Sequence, residues 1–520
     1  MHENRETSIL PGNRPVREGF APKPDMHEVE ESDSVVVPMS QPNKAERSFA
    51  STAAEVEEGR TETKENIVQA HTPPTQSGSG VSQGLDGVRE VARERKQERF
   101  TALLHHVTVE RLRESYYALQ RQAAPGVDGM RWAEFGEGLE DRLNDLHGRI
   151  HRGAYRAQPS RRVYIEKADG RQRPLGIASL EDKVVQQAVV TVLQQIYETD
   201  FLGFSYGFRP GRSAHQALDA LSTGILRKRV NWILDADIRG FFDNMNHEWT
   251  RKFIEHRVAD KRMLRLIQKW LKAGVSEEGQ WSETTVGTPQ GAVISPLLAN
   301  VYLHYVFDLW VQVWREKVAT GAVIVVRYAD DLVVGFQHQA EAERFLKEFR
   351  ERLAKFGLEL HPDKTRLIEF GRFAAERRRQ RGEGKPESFT FLGFTHYCGI
   401  NSKGQFNVWR RTAGKRMAAK LKQIQAALRV RIHQPVAQVG DWLKRVVTGY
   451  YRYHAVPGNT RALQRFRHRL GRLWRQTLCR RSQKGRIPWA RFYRICERWI
   501  PHPKVLHPYP VIRFDATHPR

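Results

Sequence analysis

Val323-Ile324-Val325-Val326-Arg327-Tyr328-Ala329-Asp330-Asp331-Leu332-Val333-Val334 consists of two β-branched runs around a short polar break. Such runs form a β-hairpin, which puts the acidic pair Asp330-Asp331 at its tip. Side chains alternate faces along a strand, so adjacent carboxylates share one site most readily where a turn interrupts the alternation. Hard, oxygen-rich clusters of this kind hold Mg2+. Nucleotidyl transfer uses two such ions about 4 Å apart. Asp is also a favoured turn residue, and a lone Asp-Asp would be read that way. The flanking strands and a third carboxylate upstream favour the metal.

That carboxylate lies in Asn231-Trp232-Ile233-Leu234-Asp235-Ala236-Asp237-Ile238-Arg239-Gly240-Phe241-Phe242-Asp243. Trp232–Leu234 reads as a buried strand that ends near Asp237. Asp235 and Asp237 are two apart and share a strand face, so the pattern alone leaves both open. A buried carboxylate without a cation or donors is costly; both also suit a solvated loop.

With these residues the chain resembles the group II intron reverse transcriptase/maturase family over roughly residues 100–515, through a series of blocks in the family's order. Pro125-Gly126-Val127-Asp128-Gly129 resembles the block before the fingers. Tyr164–Gly170 with Arg173-Pro174-Leu175-Gly176-Ile177 resembles the first fingers block, with Glu166 where the family usually has Pro. Phe204–Ser213 resembles the second. Asp237–Asp243 resembles the first catalytic block, whose leading Asp is the metal ligand, which favours Asp237 over Asp235. Gly287-Thr288-Pro289-Gln290-Gly291 through Asn300 resembles the block at the template–primer and nucleotide. Phe356–Thr365 and Phe389–Phe394 match the last two palm blocks.

The resemblance implies catalytic Asp237, Asp330 and Asp331, and a two-Mg2+ site made by these three with Ile238. Lys167 and Arg173 are cations in a Gly/Pro-punctuated hairpin suited to a triphosphate, Arg as a bidentate fork and Lys as a point charge; a solvated basic turn reads the same way. By resemblance Phe242 is a bulky gate that clashes with a ribose 2′-hydroxyl; without the motif it is a core aromatic. Gln290, beside Gly291, sits where backbone can approach a ligand closely. Lys364 suits protonation of leaving pyrophosphate, a phosphate contact, or plain surface.

The chain has 520 residues and a net charge of +26. Residues 1–95 hold 11 Lys/Arg and 17 Asp/Glu (net −6), and residues 401–520 hold 28 and 3 (net +25), leaving +7 for 96–400. A basic C-terminal third after a nearly neutral middle indicates a polyanion held mainly by that third, with salt-sensitive affinity. It is also amphipathic. Val439, Trp442, Leu443, Val446, Val447, Tyr450 and Tyr451 recur at helical spacing, as do Leu463, Phe466, Leu470, Leu473, Trp474 and Leu478. A third helix is expected over Lys415–Arg431. Arg465, Arg467, Arg469, Arg472 and Arg475 take the opposite side of the second stripe; Arg465, Arg469 and Arg472 are the candidate RNA contacts. Basic amphipathic helices also bind membranes, but these apolar faces are wide enough for a bundle core. The aromatics of Gly449-Tyr450-Tyr451-Arg452-Tyr453 suit either base stacking or packing.

The expected architecture is α+β: right-hand fingers and palm with an antiparallel palm sheet over 96–398, then an α-helical thumb/maturase domain over 399–480. A short basic segment resembling the family's DNA-binding region follows over 481–520. Residues 1–95, rich in Glu, Ser, Thr, Pro and Gly, are expected to be a disordered tail. Cys398, Cys479 and Cys496 form no Cys-x-x-Cys pair, so no metal-dependent endonuclease is expected. Unpatterned cysteines suit a reducing compartment, here a bacterial cytoplasm, and no apolar run spans a membrane. The leading function is an RNA-directed DNA polymerase that binds its host group II intron RNA and assists splicing and mobility. Its expected partners are RNA template and DNA primer, dNTPs and a DNA target. Alternatives are a domesticated reverse transcriptase, for instance in phage defence, and a splicing-only maturase, against which the intact Asp237, Asp330 and Asp331 argue.

Overall fold

The computed structural model describes residues 79–518 apart from 167–171, 278, 285 and 482–484. The central sheet is built from β3 (Trp232–Asp237), β6 (Val323–Tyr328), β7 (Asp331–Phe336) and β8 (Arg366–Glu369), in the order β6-β7-β3-β8. Every pairing in it is antiparallel. Alternation divides β3 cleanly. Leu234 and Ala236 face the large core with Leu332 and Val334 of β7. Ile233 packs on the other face with Val326, Val333 and Ile368. That second face also carries Asp235 and Asp237, so the carboxylates continue an apolar stripe to the end of the strand.

The large core is organised around the helix Leu180–Asp200, capped by Ser179, whose hydroxyl accepts from the Asp182 amide at 3.1 Å. Almost every turn of it is buried, as its run of Val, Ala, Leu and Ile requires. Beside it, β1 (Ser160–Glu166) and β2 (Gln172–Ile177) form an antiparallel hairpin; β1 also pairs in parallel with β4 (Val275–Glu277), which pairs with β5 (Gln280–Ser282). This sheet holds the segment expected to form the fingers. The disorder expected through residue 95 does not hold for its described part. Ser79–Glu94 is a helix that buries Leu85 and Ala92 in the large core, two apolar anchors that the polar composition around them outweighs. Residues 1–78 lie outside the described residues.

A three-stranded sheet, β9 (Phe389–Phe391), β10 (Phe394–Ile400) and β11 (Phe406–Thr412), joins the palm to the helices beyond. A boundary at 398/399 runs through the β10–β11 hairpin, which pairs along its whole length; the change from sheet to helix falls at Ala413. Four helices follow: Gly414–Val430, Val436–His454, Thr460–Cys479 and Trp489–Trp499. Leu421, Leu443, Phe466, Leu470, Trp474 and Phe492 fill the core between them. Tyr450 stacks on Phe466 with ring centroids 3.9 Å apart and Tyr451 is buried beside it, so these two aromatics pack. Tyr453 donates its hydroxyl hydrogen to the Leu392 carbonyl at 2.8 Å.

The last helix, Pro510–Thr517, returns to the palm and lies along the helix Ala214–Arg227. Arg227 grips Asp515 through two bonds of 2.7 Å. Buried Asp219 takes Arg410 at 3.1 Å and also Arg513. The described residues beyond Cys479 are thus divided between the core of these helices and this strap. Among the described residues no helix is long and apolar enough to cross a membrane.

Candidate active site

The β6–β7 hairpin closes through Ala329 and Asp330 alone, since Tyr328 already pairs with Asp331. Asp331 is therefore the first residue of β7, and it pairs across the sheet with Asp237, the last residue of β3. Three carboxylates from two segments almost a hundred residues apart come to one sheet end. Asp235 sits one step inward, facing Arg366 at 3.8 Å. Ile238 follows Asp237 as a buried residue bridged to Leu360; with an apolar side chain, it has only its backbone carbonyl to offer a cation.

Asp331 reaches solvent at the sheet end. Crowding by the surrounding protein, then the charges of Asp330, Asp237 and Asp235, raise its pKa to about 8, with Arg416 acting the other way. Asp330 is also raised, by burial first and by Asp237, against the backbone and the cations Arg173 and Lys364. Burial raises Asp235 to about 6. Crowded carboxylates that hold protons reluctantly shed are a hard-oxygen donor set for a divalent cation. Among the described residues no three such groups form a cage by themselves. Mg2+ commonly takes one or two carboxylates and completes its shell with water and substrate phosphates, so the donor chemistry fits.

Lys364 pairs directly with Asp237. Arg173 stands half-buried on β2, near enough for its charge to be felt at Asp330. Lys167 lies outside the described residues. Phe242 is half-buried against the large core, its ring edge-on to Phe241 at 5.4 Å. Its carbonyl accepts from the Thr288 amide at 2.8 Å. Gly287, at φ 86°, crosses this backbone so closely that a Cβ would lie 2.9 Å from the Phe242 oxygen and 2.7 Å from that of Asp243. Gln290 reaches Asp243 at 3.3 Å, and its carbonyl accepts from the Gly176 amide at 2.8 Å. The fingers hairpin, the Gly287–Gly291 loop and the Phe242 turn therefore converge.

Away from this end, Arg465, Arg469 and Arg472 are exposed on one face of Thr460–Cys479. Arg467 and Arg475 differ from them. Arg467 bonds Glu497 at 2.9 Å, and Arg475 bonds the Ile487 carbonyl at 3.0 Å and covers the Trp489 ring. Both hold the next helix in place.

Three residues that no motif singles out stand behind the Ala329-Asp330 turn. Arg327, fully buried, donates to both oxygens of the fully buried Asp308, through Nε at 2.7 Å and through Nη2. Its Nη1 donates to Asn300 Oδ1 at 2.9 Å and to the Ala329 carbonyl at 3.2 Å. The available signal was a cation inside a β-branched run, which demands a buried partner; the partner's place could not be read from spacing.

Residues 165–396 match the family model described as reverse transcriptase (RNA-dependent DNA polymerase). Protein YkfC of Escherichia coli is 35% identical over 277 residues, 47% of this chain and 72% of YkfC. The group II intron-encoded protein LtrA of Lactococcus lactis is 43% identical over 183 residues, 34% of this chain but only 30% of LtrA. Nuclear intron maturase 2, mitochondrial, of Arabidopsis thaliana is 25% identical over 233 residues, 37% of this chain and 30% of the relative. Fold and site thus define a reverse-transcriptase domain with palm and fingers. The chain belongs to the group II intron reverse transcriptase/maturase family.

Proposed function

We propose that this protein is an RNA-directed DNA polymerase that also binds its host group II intron RNA and assists its splicing and mobility. The observation that carries the reading is the pairing of Asp237 with Asp331 across β3 and β7, with Asp330 in the adjoining turn. In this reading Asp237, Asp330, Asp331 and the Ile238 carbonyl hold two Mg2+ ions. When bound, these ions activate the primer 3′-hydroxyl and neutralise charge on the leaving pyrophosphate. Arg173 and Lys167 grip the dNTP triphosphate. Phe242 excludes a 2′-hydroxyl by occupying its space, and Gln290 lines the nucleotide from the neighbouring loop. Lys364, freed from Asp237, meets the leaving phosphate oxygens.

The proposed thumb/maturase region supplies the grip on RNA. Arg465, Arg469 and Arg472 face solvent together, on a segment that belongs to the +25 carried by residues 401–520. A surface that binds only the folded intron stabilises that fold by linkage, which is the physical content of splicing assistance. The DNA target is the further partner expected for mobility.

Primer extension on an RNA template with Mg2+ and dNTPs tests the polymerase reading. Asp237→Asn and Asp330→Asn should each cut extension by more than about 100-fold, beyond what loss of an outer-shell partner produces. Extension near wild type by either variant refutes the assignment.

A further inference from the structure

The turn that carries Asp330 is bent against the preference of its own sequence. Ala329 has φ 55°, a left-handed conformation that a residue other than glycine keeps only where its surroundings fix it. Here three segments converge to fix it. Arg327 Nη1 holds the Ala329 carbonyl. Asn300, which accepts from the same nitrogen, donates from Nδ2 to the Gly207 carbonyl at 2.8 Å. Gly207 lies so near the turn that a Cβ there would come 2.3 Å from the Ala329 nitrogen. The strand edge is tied as well, with the Tyr206 amide on the Arg327 carbonyl and the Arg327 amide on the Phe204 carbonyl, both at 2.9 Å.

Asp308 reaches Arg327 from a π-helical turn, His304–Asp308, set between the α-helices Ser295–Leu303 and Leu309–Lys317. Such insertions are uncommon and recur at functional sites. A fully buried ion pair is a weak device for stability, since desolvating both charges offsets their attraction and apolar replacements are often neutral. Its geometric content is larger. The carboxylate takes two hydrogens of the guanidinium fork and fixes its plane, so the remaining nitrogen is aimed at the turn.

We propose that Arg327, Asp308 and Asn300 are positioning residues that set the Ala329-Asp330 turn for metal binding. This rests on reading Asp237, Asp330 and Asp331 as the metal ligands. Groups that support metal ligands typically lose 10–100-fold in metal affinity or activity when removed.

The test is Mn2+ binding, read by electron paramagnetic resonance with dNTP and a chain-terminated primer on an RNA template, so that no turnover is needed. The double variant R327M/D308L removes both charges together and leaves neither orphaned. It should melt within a few degrees of wild type and keep its affinity for intron RNA, while Mn2+ affinity falls about 10-fold or more. Asn300→Ala leaves the ion pair whole and should raise the Mg2+ needed for half-maximal extension several-fold; it decides the matter if the double variant does not fold. Wild-type Mn2+ affinity and Mg2+ dependence in whichever variant folds overturns the proposal. Asp330→Asn separates the two readings. If it too leaves Mn2+ binding unchanged, the metal site itself is misassigned; if it alone abolishes binding, only the positioning role fails.

Discussion

Asp331 stands at the first position of a strand, opposite Asp237, and beside a second carboxylate in the turn. Its pKa of about 8 lies above the roughly 4 of an unfolded aspartate. Between those values the folded chain keeps a proton that the unfolded chain has released, so this group withdraws stability as pH rises. Asp331→Asn should therefore stabilise the metal-free protein, by a margin that widens from pH 5 to pH 8. Thermal melting in a chelator measures it, and a margin that narrows across that range contradicts the electrostatics. Phe242 makes a different prediction: with the ring removed, Phe242→Ala should accept ribonucleotides about 10-fold or more readily, in the range of steric discrimination by a few carbon atoms. Single-nucleotide incorporation measures it, and unchanged selectivity would leave Phe242 as core packing. At this scale the sequence displayed the acidic pair and its flanking strands, because hairpin chemistry is local. Its pattern left Asp235 and Asp237 level, since they share a face, and only the resemblance favoured Asp237; in the structure their partners differ, Arg366 for Asp235 and Asp331 for Asp237.

Among elements, the apolar stripes around Val439–Tyr451 and Leu463–Leu478 were legible because a helix must place its core residues three or four apart. Helices formed over Val436–His454 and Thr460–Cys479 accordingly. Periodicity could not tell which arginines on the polar side meet solvent and which meet a neighbouring helix, so Arg467 and Arg475 were grouped with Arg465. The strap Pro510–Thr517 was hidden for the same reason: its anchors, Arg513 and Asp515, find Asp219 and Arg227 nearly three hundred residues away. Asp219 neutralises two cations in a buried setting, so Asp219→Ala should destabilise the protein by about 3–5 kcal/mol, the usual effect of stranding buried charge. Denaturant unfolding checks it. A change below about 1 kcal/mol would mean the strap contributes little to holding the C-terminal helix on the palm.

For the whole molecule, the distribution of charge separates two tasks. Chemistry is assigned to a sheet end in a region of net +7, and RNA affinity to a region of net +25. Reversing Arg465, Arg469 and Arg472 to Glu leaves Leu463, Phe466 and Leu470 in the core of the C-terminal helices untouched. The logarithmic salt slope of intron RNA binding should become shallower by about two to three, at 0.7–0.9 per lost phosphate contact. The measurement that bears most directly on the account sets this triple variant beside Asp330→Asn, each assayed for short-primer extension on an RNA template and for intron RNA affinity. The account predicts a crossed result: Asp330→Asn stops synthesis and keeps RNA affinity, while the arginine variant loses affinity and salt dependence and retains much of its extension. An Asp330→Asn enzyme that still extends primers, or a folded arginine variant that binds RNA as wild type does, would contradict it.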